Sequence, residues 1–152
     1  MKTPQHKVQV GSISCGSDDL FLISGPCVIE DRDTMLKTAE TLKKVSESLH
    51  IPVIYKSSFK KDNRSSLSYY DGPGLDEGLK LLSEIKTQFG FPLLTDIHES
   101  YQAAPAAEVC DVIQIPAYLC MQSSLIVAAA KTGAVVNIKH GQFLAPENMN
   151  IG

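Results

Sequence analysis

The stretch "IPVIYKSSFKKDNRSS", residues 51–66, decides the architecture. It begins as a short β-branched run of strand type, "IPVIY". Without a break it becomes a dense group of cations, Lys56, Lys60, Lys61 and Arg64, with Asn63, Ser65 and Ser66 among them. The formal net charge of the chain is −3, so no global basic field draws nucleic acid. The cluster is therefore local and needs a local partner. Lysine offers a point charge, arginine a bidentate fork, and serine and asparagine neutral donors, a set that suits phosphate and carboxylate ligands. A solvated basic loop is the competing reading.

Outward from this stretch the same layout recurs. "LFLISGP" (20–26) reads as a buried strand ending in a turn, and "TMLKTAETLKKVSESL" (34–49) as a helix with Met35, Ala39, Leu42, Val45 and Leu49 at helical spacing. Asp31 or Asp33 is the expected cap. "LDEGLKLLSEIKTQFG" (75–90) places Leu75, Leu79, Leu82 and Ile85 on one face and Gly90 as the stop. "FPLLTDIHE" (91–99) is a third strand, followed by a short helix in "SYQAAPAAEV" that Pro105 is expected to disturb. "DVIQIPA" (111–117), "SSLIVAAAKTG" (123–133) and "AVVNIKHG" (134–141) complete a strand, a helix and a fifth strand. "KVQVGSIS" (7–14) alternates and reads as a short N-terminal hairpin.

Five strands separated by helices imply parallel βαβ units with right-handed crossovers, in either a doubly wound sheet or a (β/α)8 TIM barrel. No GxGxxG follows the first strand, which removes the main argument for a dinucleotide fold. Polar groups instead sit at the C-terminal end of every strand: Ser24–Cys27, Lys56–Ser58, Asp96–His98, Gln114 and Lys139–Gln142. In a barrel those ends converge at the mouth where active sites are built. The expectation is one domain over residues 1–152, an incomplete TIM barrel with about the first five βα units and a hairpin below them. Five units leave an open edge, so the expectation is a fragment of a longer protein or a sheet closed by another route.

No apolar stretch has the length of a membrane span. The N-terminus lacks a signal-peptide core, and the four cysteines show no CxxC spacing, so a cytoplasmic chain with reduced thiols is expected. Among the strand ends, Cys27 could ligate a metal or simply pack. Asp96 and His98, two positions apart, share a side and could serve sugar hydroxyls, a metal or a proton.

Taken in order, "GPCVIE", "KSSFKKDNRSS", "GPGLDEGLKLL", "TDIHE", "QIPAYLC" and "KHGQFLAP" resemble the 3-deoxy-D-manno-octulosonate 8-phosphate (KDO 8-phosphate) synthases, over about residues 20–149. "NRSS" followed by "GPGL" favours that family over its sister, which makes the seven-carbon shikimate precursor. The resemblance implies a (β/α)8 barrel, usually a homotetramer, that condenses phosphoenolpyruvate with D-arabinose 5-phosphate in lipopolysaccharide biosynthesis. It assigns Lys56, Lys61, Asp96 and Lys139 as catalytic, with the lysines facing phosphoenolpyruvate and Asp96 the arabinose hydroxyls. Asn63, Arg64 and Ser65 correspond to the pentose phosphate site, with Gln114 and Gln142 also binding substrate. Cys27 marks the metal-dependent class, whose divalent ion takes its other ligands from later strands. Two phosphates and a carboxylate held together would explain the basic cluster.

The chain departs from the family pattern at several positions. Met121 and Asp71 stand where the family has arginine, Ser124 and Lys60 where it has aspartate, and His140 where it has lysine. Two other readings stay open on this basis: a truncated, non-catalytic barrel relative acting only in assembly, and a related phosphoenolpyruvate-dependent sugar-acid synthase.

Overall fold

The structure, a computed structural model, describes residues 6–66 and 68–149. Strands β1 (Val8–Val10) and β2 (Ile13–Cys15) form an antiparallel hairpin. Five parallel strands follow in sequential spatial order: β3 (Leu22–Ser24), β4 (Val53–Lys56), β5 (Leu93–Asp96), β6 (Val112–Ile115) and β7 (Val135–Ile138). The crossovers carry α1 (Arg32–Leu49), α2 (Leu75–Phe89), α3 (Ala103–Val109) and α4 (Ser123–Ala130). The expected hairpin, five strands and four helices are all present. The termini named above, Met1–Gln5 and residues 150–152, lie outside the described residues.

Period-two alternation divides each strand between two faces. Val53, Tyr55, Leu93, Ile113 and Ile115 pack with Met35, Ala39, Leu82, Ile85, Ala106, Leu125 and Ala129 from the four helices. On the opposite face Ile54, Leu94 and Val112 pack against Val10 and Ile13 of the hairpin. All four helices thus contribute to one layer. This singly wound arrangement is consistent with part of a barrel, whereas a doubly wound sheet would carry helices on both faces. The hairpin lies at the N-terminal ends of the strands, where the sequence placed it.

Asp31, not Asp33, caps α1: its Oδ1 accepts the Thr34 N–H at 2.8 Å and its Oδ2 accepts the Thr34 hydroxyl at 2.7 Å. Gly90 closes α2 in the left-handed region, φ 72°. Pro105 does not disturb its helix. It lies in the first turn of α3, where its missing N–H has no partner to lose, and a 3-10 turn at Ser100–Gln102 leads into it. Val45 and Leu49 also differ from expectation, being 38% and 61% exposed. Among the described residues β3 and β7 are the two edge strands, and Val45 and Leu49 lie beside β3, with Leu20 and Leu22, around one apolar pocket.

Candidate active site

The inner face has two levels. Ile54, Leu94 and Val112 fill the lower one, over the hairpin. Two residues further along the same strands stand Lys56, Asp96 and Gln114, and β7 continues the pattern with Val135, Asn137 and Lys139. Asp96, Gln114 and Asn137 are direct neighbours in the sheet register. Above them opens a cavity of about 150 Å³ lined by Cys27, Lys56, Lys61, Asn63, Asp96, His98, Gln114, Tyr118 and Lys139, with Pro116 and Ala117.

Asp96 is the centre of this group. Its Oδ2 accepts hydrogen bonds from Ser58 Oγ at 2.8 Å and Lys61 Nζ at 2.9 Å, and its Oδ1 accepts one from Gln114 Nε2. Gln114 is held in turn by Asn137, whose Nδ2 donates to Gln114 Oε1 at 2.8 Å. Lys56 Nζ donates to Ser58 Oγ at 2.9 Å and stands 3.7 Å from Asp96 Oδ2. One carboxylate thus sits among three lysines, leaving two positive charges in excess in a small, partly dry space.

The titration of these groups follows from burial and mutual charge. Burial opposes ionisation of Asp96, but Lys56, Lys61 and the Ser58 hydroxyl together outweigh it and hold the carboxyl below its usual value. Burial lowers Lys56; Asp96 works against this, and repulsion from Lys61 adds to it. Lys61 is also partly desolvated, but its contact with Asp96 prevails and its pKa rises. His98 is 5% exposed, and burial is the main cause of its lowered pKa, so it is neutral near pH 7. Its ring meets Phe59 edge-on and stacks on Tyr118, and its Nδ1 has no partner among the described residues. Burial raises the Tyr118 phenol to about 12, which keeps its proton in place.

The GPC segment is laced to β4. Ser57 Oγ donates to Pro26 O at 2.8 Å, Ile29 N to Ser58 O at 3.0 Å, and Val28 pairs with Ser58. Gly25 permits this approach, since a Cβ there would meet Lys56 O at 2.1 Å. Cys27 is exposed at the cavity wall, and Lys56 Nζ lies 3.4 Å from its carbonyl oxygen. All four cysteines are unpaired; Cys110 and Cys120 are buried, Cys15 half-buried.

The structure thus brings together Cys27, Lys56, Lys61, Asn63, Asp96, Gln114 and Lys139. It does not bring Arg64, Ser65 or Gln142 to the cavity. Ser65 and Gln142 are exposed outside it. Arg64 turns back into its own loop, donating from Nε to Lys61 O at 3.1 Å and from its terminal nitrogens to Tyr69 O and, at 3.4 Å, to Asp71 Oδ2. Sequence reasoning missed Asn137 and Tyr118 and did not single out Ser58. The step of two from Val135 to Asn137, and from Lys56 to Ser58, was the available signal. No group of three or more His, Cys, Asp or Glu that could hold a metal occurs among the described residues, so Cys27 alone does not constitute a metal centre.

The fold and this inner-face cavity of lysines and carboxamides define an α/β protein with a positively charged site at the ends of sequential parallel strands. Residues 3–151 match the DAHP synthetase I family, and the chain belongs to that family. Among curated proteins it is 53% identical over 144 residues to the 2-dehydro-3-deoxyphosphooctonate aldolase of Trichlorobacter lovleyi, covering 94% of this chain and 53% of the relative. It is 52% identical over 146 residues to the protein of that name from Pseudomonas putida strain GB-1 (95% and 52%), and 52% identical over 143 residues to that of Shewanella oneidensis (93% and 51%). The motif resemblance pointed to the same enzyme family. The chain spans about half the length of the curated relatives it matches.

Proposed function

We propose that the protein is a sugar-acid phosphate synthase, or the N-terminal part of one. It would condense phosphoenolpyruvate, D-arabinose 5-phosphate and water to 3-deoxy-D-manno-octulosonate 8-phosphate and inorganic phosphate. The observation that carries this reading is the convergence of Lys56, Lys61, Lys139 and Asn63 on one cavity around an ionised Asp96. The names of the curated relatives agree with it.

The residues have distinct tasks in the condensation. C3 of the enol attacks the sugar aldehyde, water adds at C2, and the C2–O bond to phosphate breaks from the resulting hemiketal. Lys56, Lys61 and Lys139 offset the phosphate and carboxylate charges as the two anions are pressed together. Asp96 keeps Lys61 in place and offers its remaining lone pair to a sugar hydroxyl. Gln114, anchored by Asn137, fixes the carboxylate orientation. Arg64 and Ser65 are assigned here to the loop beside the cavity, and Gln142 to its outer approach. Cys27 would offer one thiolate to the divalent ion that the family resemblance implies, and the other described residues do not complete a ligand set for it. Barrel closure, a homotetramer and a cytoplasmic setting belong to the same proposal. No helix among the described residues is long and apolar enough to cross a membrane.

A second reading is a non-catalytic relative that acts in assembly, favoured by the uncovered apolar residues Ile23, Val45 and Leu49 at the β3 edge. Phosphate release from phosphoenolpyruvate plus arabinose 5-phosphate, with and without chelator, tests both. Chelator-sensitive release from natural protein heavier than 16.5 kDa is expected. No release from a 16.5 kDa protein would leave the assembly reading.

A further inference from the structure

Lys61 and Asp71 close the two ends of a loop on the wall of the cavity. Lys61 N donates to Asp71 O at 2.7 Å across its neck, and Gly74 N to Phe59 O at 3.1 Å ties the flanking segments together. Lys61 and Asn63 line the cavity. Arg64 comes next in the chain, yet its guanidinium is spent inside the loop on two carbonyl oxygens and on Asp71. The Arg64 side chain is 18% exposed and that of Asp71 42%. Asp71 is therefore the accessible half of a pair that neutralises the one arginine adjoining the site.

We propose that Asp71 determines the anion preference of this site by holding Arg64 within its own loop. With Asp71 present, the cavity meets a phosphate monoester with lysines and an asparagine, which are point charges and neutral donors. A guanidinium fork, the group best matched to a terminal phosphate, is withheld. The Tyr69 and Lys61 carbonyls alone are weaker partners than a carboxylate, so removing the Asp71 charge releases the fork toward the phosphate end of a sugar phosphate. Phosphoenolpyruvate, seated deeper on Lys56 and Lys61, is not the ligand affected. This inference rests on the proposed sugar-phosphate reading for its ligand but not for its readout.

The test is titration calorimetry on the natural full-length protein and its variants with inorganic phosphate, arabinose 5-phosphate and phosphoenolpyruvate as separate probes. Asp71→Asn is expected to tighten phosphate and arabinose 5-phosphate about threefold, the scale of one partly exposed ion pair. Asp71→Glu is expected to bind as the parent does, and Arg64→Gln combined with Asp71→Asn to lose the gain. Unchanged binding by Asp71→Asn overturns the proposal, as does a gain that survives without Arg64, which would reflect net charge alone. Failure of phosphoenolpyruvate to bind any variant would refute the proposed reaction while leaving the phosphate result to decide the role of Asp71.

Discussion

The two levels of the inner face are built from the same strands, two residues apart, and have opposite characters. The lower level is apolar: Leu94 and Ile54 are 0% and 1% exposed and pack with Val10 and Ile13. The upper level is a charged network in which Asp96 and Gln114 are hydrogen-bonded to groups from neighbouring strand ends. Hydrophobic burial below is non-directional and tolerates variation in shape, whereas the upper level works only if donors and acceptors meet at hydrogen-bond distance. The lower level thus makes the scaffold rigid enough for the upper one to keep a carboxylate among lysines.

If this division is right, damage to the two levels separates into stability and chemistry. Leu94→Ala is expected to cost about 3 kcal/mol in urea unfolding, since the side chain is fully buried. Asp96→Asn, of nearly equal volume, is expected to lower phosphate release about a hundredfold, the scale of losing one preorganised electrostatic group, with a smaller fall in the urea midpoint than Leu94→Ala. Equal falls in stability would break the comparison. Gly25→Ala tests the seam between β3 and β4. The added Cβ collides with Lys56 O, and about 2 kcal/mol of stability is expected to go, together with the placement of Lys56.

Acid titration sharpens the contrast further. His98 is held below its usual pKa of 6.5 by burial, so as pH falls below 6.5 the unfolded chain takes up this proton before the folded one. Stability from this residue is complete above that pH and is lost through the window down to the folded pKa. Urea midpoints measured from pH 7 to pH 5 are expected to fall, and to fall less in His98→Asn. Asp96, also depressed, adds a second loss only below about pH 3.9, where its unfolded counterpart begins to protonate. The smallest effect is expected at Lys139, exposed at the rim: Lys139→Ala is expected to change stability by less than about 0.5 kcal/mol. It is expected to weaken inorganic phosphate binding severalfold in the same preparation.

Much of this was legible in the residues because strand periodicity and site chemistry coincide. The apolar residue two positions before each polar strand end, as in Ile54–Lys56, Leu94–Asp96 and Val112–Gln114, fixes both the face and the level. Asn137 obeys the same rule and was missed because asparagine in a strand has no distinctive signal. The burial of Val45 and Leu49 was misjudged because helical spacing reports an apolar stripe and not whether a neighbour covers it. Arg64 was read toward the cavity because the motif fixes its position in the chain, whereas its direction follows acceptors within its own loop, Lys61 O, Tyr69 O and the Asp71 carboxylate. Pro105 was read as a breaker because the start of α3 could not be located to within one turn.

The bonding of Asp96 has a further consequence. A carboxylate offers about four lone-pair positions. Three are already taken by Ser58, Lys61 and Gln114. A polyol arriving at this site therefore finds one vacancy, on Oδ1, and can lodge only one of its hydroxyls there. For the sugar proposed above, this residue would sense handedness at a single carbon, and epimers differing elsewhere would have to be told apart by other groups.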